Sequence, residues 1–150
     1  MAVTQADLIK AVAAQIDDVL ADASDVTVHV VAGLFVAAEK PSINVYQAPP
    51  GLPIELAGFG ERYGGYHMNI KAVVNPADID AGEELLWGFT DDDADPLSII
   101  AALDFDRTLN GIADTLMWGE WSGYQDFSPE TEPGKFVGAT LPLIVAKAHS

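Results

Sequence analysis

Two runs of alternating residues constrain this chain more than any other feature. Over residues 66–74, Tyr66, Met68, Ile70, Ala72 and Val74 fall on one side, with His67, Asn69, Lys71 and Val73 on the other. Over residues 135–147, Val137, Ala139, Leu141, Leu143 and Val145 form one set and Phe136, Thr140, Ile144 and Ala146 the other. Strand side chains point to opposite faces with a period of two, so each run predicts a long strand with one face on a core. Pro142 breaks the second run. It predicts a bulge or a locally unpaired edge, because proline gives a ladder no donor.

Around these strands the pattern changes period. Residues 4–23 read as an amphipathic helix, with Leu8, Ile9, Val12, Ile16, Val19 and Leu20 recurring every three or four positions. Thr4 is its expected N-cap, and Asp7 the acidic partner of a capping box. The β-branched residues of 26–31 and the short run 42–47 predict two further strands. Helices are expected over 78–89 and, from Asp95 as N-cap and Pro96 as first helical residue, through Leu103. Residues 112–124 and 135–147 predict a long C-terminal hairpin closed by the Pro- and Gly-containing turn at 128–134. The expected fold is therefore α+β: a mainly antiparallel sheet covered by the N-terminal helix and one or two central helices. At 150 residues, with no internal repeat or linker, residues 1–150 are expected to form one domain.

Composition excludes several functions. With no cysteine, the chain has no thiolate chemistry and no Cys-based zinc site. No apolar run approaches the roughly 20 residues of a membrane-spanning helix, and no signal peptide is visible, so no membrane role is expected. The formal charge is −16, from 23 acids and 7 bases, which repels nucleic acid. Ten of the acids lie between Asp78 and Asp106, a span without Lys or Arg. That run reads as a solvated acidic face, or as a surface that stays near DNA without adhering to it.

Residues 48–65 are the one long irregular segment, rich in Pro and Gly yet carrying Leu52, Ile54, Leu56 and Phe59. Apolar residues on such a loop favour docking onto a neighbour. Its Gly58-Phe59-Gly60 lacks the Lys-Ser/Thr ending of a phosphate-binding loop. Trp118 and Trp121 lack the surrounding bases of a nucleic-acid groove and read as core or interface residues. His29, His67 and His149 stand at no metal-binding spacing, so neither metal nor cofactor is expected.

One short motif has a chemical reading. The apolar run Ile99 to Leu103 leads into Asp104-Phe105-Asp106-Arg107-Thr108-Leu109, which resembles the first motif of haloacid dehalogenase-type phosphatases. That resemblance implies Asp104 as nucleophile, Asp106 as general acid, and a magnesium ion. Such a site also needs a lysine, a hydroxyl donor and a further acidic magnesium site on later strands of a parallel sheet. The 44 residues after Asp106 contain Lys135 and Lys147, but no second acidic pair after a strand and no alternation of strands with helices. The competing reading is a helix-ending corner: Asp104, Asp106 and Thr108 bind backbone amides, and Gly111 supplies a positive φ.

The order of elements, together with Ala102, Leu103, Asp106, Thr108, Leu109 and Gly111 before an apolar strand at 138–148, resembles the tail terminator proteins of long-tailed bacteriophages. The resemblance implies a structural, non-enzymatic virion protein of the tail neck, assembled in the host cytoplasm. It implies a homo-oligomeric, hexameric ring that caps the tail tube, bound by the major tail tube protein and a head–tail connector or stopper protein. DNA would pass through the lumen without specific binding. Asp91, Asp92, Asp93 and Asp95 are then candidates for an acidic lumen, and Leu52, Ile54, Leu56, Phe59, Trp118 and Trp121 for contacts between subunits. The alternatives are another head–tail connector or tail component, the small phosphatase, and an acidic DNA-mimic inhibitor.

Overall fold

A computed structural model of the chain describes residues 4–23, 28–33, 41–47, 63–74, 79–92, 94–126 and 137–148. They form three helices and six strands: α1 (Gln5–Ala23), β1 (His29–Ala32), β2 (Ser42–Gln47), β3 (Tyr63–Val74), α2 (Ile79–Thr90), α3 (Ile99–Phe105), β4 (Thr115–Trp118), β5 (Gln125–Asp126) and β6 (Val137–Ala148). The fold is α+β. One sheet runs in the order β1-β2-β3-β6-β4, with β5 also paired to β6. Every pairing is antiparallel except β1 with β2, which is parallel.

The two alternating runs form the centre of this sheet. β3 and β6 pair along their whole length, from Tyr63 opposite Ala148 to Val74 opposite Val137. Met68, Ile70, Ala72 and Val74, with Ala139, Leu141, Leu143 and Val145, are buried on one face, which the helices cover. Their neighbours across β2 are Ile43 and Val45, also buried. The other face is more polar, yet Ser42, Val73, Ile144 and Ala146 are buried there too.

α1 lies on β1 and β2 through the expected stripe, with Leu8, Val12, Ile16 and Leu20 all buried. Each such side chain contributes about 1.5–3 kcal/mol, an upper bound against a fully extended unfolded chain. Its N-terminus is a closed capping box. The Thr4 amide donates to Asp7 at 3.0 Å, and the Asp7 amide donates to the Thr4 hydroxyl at 3.2 Å. The Thr4 amide first, and then the Thr4 hydroxyl, hold the Asp7 carboxyl below its ordinary value.

Several expectations are corrected. β3 begins at Tyr63, so Gly64 and Gly65 belong to the strand; the ladder to Lys147 and Ala146 outweighs their poor strand propensity. α3 begins at Ile99 rather than Pro96, and Ser98 is the N-cap in place of Asp95. The Asp95 carboxylate accepts from the Leu97 amide at 2.9 Å, and the Ser98 amide donates to the Asp95 carbonyl at 2.9 Å. A turn therefore occupies the residues after Pro96. Buried Ser98 then donates its hydroxyl to the Asp91 carbonyl at 2.7 Å and accepts from the Ala101 amide at 3.1 Å.

The break expected at Pro142 is present on one side only: the ladder to β3 runs through it unbroken, and the irregularity falls on its β4 side. It sits mid-sheet opposite Asn69, in unbroken register. The Gly119 amide donates to its carbonyl at 3.0 Å. A strand residue's N–H and C=O point to the same side, so the missing donor falls toward β4 and leaves the β3 ladder intact. β4 ends at that point. Trp118 pairs with Leu143 and Gln125 with Gly138, so seven steps on one strand match five on β6. The intervening residues bulge outward, held by the Ser122 amide to the Thr140 carbonyl at 2.8 Å and the Thr140 amide to the Ser122 hydroxyl at 2.9 Å. The extended run expected over 112–124 is thus a short strand followed by this bulged segment. The turn expected at 128–134 lies outside the described residues.

Candidate functional site

The corner after α3 is closed by a set of side-chain hydrogen bonds. Ile99, Ala102 and Leu103 face the core and leave Asp104 and Phe105 on the outside. Asp106 ends the helix in extended geometry. One of its carboxylate oxygens accepts from the Thr108 amide at 3.0 Å and the Thr108 hydroxyl at 2.6 Å. The other accepts from the Asn110 amide at 2.9 Å. The Thr108 hydroxyl in turn accepts from the Gly111 amide at 3.2 Å, and the Thr108 carbonyl from Ala113 at 2.9 Å. The Thr108 hydroxyl above all, then the amides of Thr108 and Asn110, hold the Asp106 carboxyl below its ordinary 3.8.

Asp104 has a different role from the one expected. It binds no backbone amide of the turn; its carboxylate pairs with Arg107 Nε at 2.9 Å, on the surface. The Arg107 guanidinium lies over the Trp118 ring, 4.5 Å from its centroid. The Asp-x-Asp pair therefore stands at the end of a helix, with one carboxylate ion-paired and the other accepting three hydrogen bonds. Among the described residues no three His, Asp or Glu side chains converge to hold a metal ion. His29 lies on β1 and His67 on β3, with β2 between them, and His149 is outside the described residues.

α1 supports the corner from the side. The Gln15 amide donates to the carbonyls of Ala102 at 2.8 Å and Leu103 at 3.3 Å, two of the last four carbonyls of α3, where a helix leaves its acceptors open. Between the two elements runs an open groove of about 480 Å³. Ala11, Ala14, Gln15, Asp18 and Val19 form its α1 wall, and Phe105, Asp106, Leu109, Asn110 and Ile112 its corner wall. Phe105 stands at this groove 77% exposed.

The acidic candidates divide in two. Asp91 accepts from the amides of Ala94 at 2.9 Å and Asp95 at 3.0 Å, and Asp95 accepts from Leu97, so both carboxylates shape the link between α2 and α3. Gly88 leaves room for the latter: a Cβ there would come within 3.1 Å of the Asp95 carboxylate. Asp92 is exposed, and Asp93 lies outside the described residues. Trp118 and Trp121 are half-buried and pack against the core, and the indole N–H of Trp121 is buried with no acceptor among the described residues. Leu52, Ile54, Leu56 and Phe59 lie outside the described residues.

Sequence reasoning missed Gln15 and Phe105. Each carried a signal: a polar residue flanking the apolar stripe of α1, and an aromatic off the buried stripe of α3. The chain matches no protein-family model and no curated protein sequence.

Proposed function

We propose that this protein is a structural assembly component of the tail terminator kind. In this reading it forms a hexameric ring that caps the tail tube of a long-tailed phage, joins it to a head–tail connector or stopper protein, and lets DNA pass without binding it. The observation that carries the reading is the corner itself. Each residue of the pattern resembling that family has an architectural role: Ala102 and Leu103 in the core, Asp106 and Thr108 in the hydrogen-bonded turn, Leu109 buried, and Gly111 at φ 90°. The turn delivers the chain to β4, where the Asp114 amide donates to the Ala146 carbonyl at 2.9 Å. A net charge of −16 further supports a wall along which phosphates slide.

Against phosphoryl transfer, Asp104 is ion-paired to Arg107, and both Asp106 oxygens accept hydrogen bonds within the turn. Mixing purified protein with isolated tail tubes tests the proposal. Co-sedimentation with tubes and a density at one tube end are expected. Association with capsids alone would favour a connector instead. Magnesium-dependent release of phosphate that disappears in Asp104→Asn would overturn the structural reading.

A further inference from the structure

We propose that the groove between α1 and the corner docks an apolar segment bearing Lys or Arg, supplied by a partner protein; the inference does not rest on the ring reading. The groove's lining is largely apolar, with small and branched side chains at Ala11, Ala14, Val19 and Ile112 and the exposed Phe105 ring beside them. Its walls are set in advance. α1 is a 19-residue helix fixed by its buried stripe, and the corner is held by the Asp106 hydrogen bonds and by Gln15. A preformed apolar cleft loses little order on binding, which favours a docked segment over a loose contact.

Charge selects the occupant. The charged residues lining the groove are Asp18 and Asp106, both acids. Asp7 and Asp22 lie three to four residues from Ala11 and Asp18, on the same side of α1, and extend the negative strip. Lys10, four residues before Ala14, is the one cation of α1 and faces Asp7. Arg107 of the corner is held by Asp104 and Trp118, so the strip stays net negative through Asp18, Asp22 and Asp106. Nucleic acid brings phosphates to this acidic rim and is repelled. An apolar segment with basic flanks matches both the apolar lining and the acidic rim.

The test uses the full ¹⁵N-labelled chain titrated with an amphipathic Leu–Lys helical peptide, and separately with a Leu–Glu peptide of the same pattern. The Leu–Lys peptide is expected to move the amide signals of α1 around Ala14 and of the corner around Asn110. Phe105→Ser or Asp18→Lys should each weaken its binding by about tenfold or more. The Leu–Glu peptide should leave the spectrum unchanged. Both variants change exposed side chains, and a thermal melt of each establishes that it is folded; either one alone suffices for the comparison. Shifts spread over the α2–α3 link instead, or unchanged affinity in a folded variant, would overturn the proposal. So would groove shifts that grow with protein concentration in the absence of peptide, which would assign the groove to a second copy.

Discussion

Leu109, Asn110 and Gly111 take positive φ angles of 49°, 59° and 90° in succession. Asparagine and glycine tolerate such angles, but a leucine there is strained. Its side chain is only 3% exposed, so core burial and the turn's hydrogen bonds offset the strain. Gly111→Ala has open space for its Cβ, yet should destabilise the fold by about 1–2 kcal/mol through backbone strain alone, read from urea melts. Asp106 makes stability depend on pH. Its folded value lies below the ordinary 3.8, so its contribution is full above that value and is lost as the pH falls through the folded one. The stability gap between the natural protein and Asp106→Asn should therefore be widest near neutrality and close in strong acid. A gap unchanged by pH would mean that the carboxylate charge plays no part in the turn.

The helices and strands depend on contacts of unequal visibility. Ile16→Ala empties a fully buried position of α1 and should cost about 2–5 kcal/mol. Ser98→Ala removes a buried N-cap and should cost about 1–2 kcal/mol, whereas Asp95→Ala leaves the start of α3 in place, as circular dichroism and melts of the two variants would reveal. α1, β2, the core of β3 and the core face of β6 were legible because apolar periodicity is a local property written into consecutive residues. The start of α3 was not. Asp-Pro satisfies the local rule for a helix start, but Ser98, with bonds to Asp91 on one side and Ala101 on the other, wins that role through a contact seven residues back. Gly64 and Gly65 joined β3 for a similar reason, since their partners lie some eighty residues away on β6. Pro142 marked a break in the ladder, but which neighbour its nitrogen faces, β4 rather than β3, is not encoded in the sequence. Within the corner, Asp106, Thr108 and Gly111 were readable from local turn chemistry. The Asp104–Arg107–Trp118 arrangement and the Gln15 cap required tertiary contact.

At the scale of the whole molecule, charge and shape act together. Helices cover one face of an open sheet, and the surface carries a large negative excess together with exposed aromatics at Trp87, Phe105 and Tyr124. Like-charged subunits repel over a screening length of about 10 Å at 0.1 M salt and about 3 Å at 1 M. The proposed ring should therefore tighten as salt rises, while nucleic acid should remain unbound even at low salt, as a gel-shift series would register. The decisive quantity is the mass of the purified protein in solution by light scattering, measured across protein concentration at low and high salt. The ring reading requires a discrete species near six times the 15.9 kDa chain mass, favoured by salt. A monomer at every concentration and salt would contradict it.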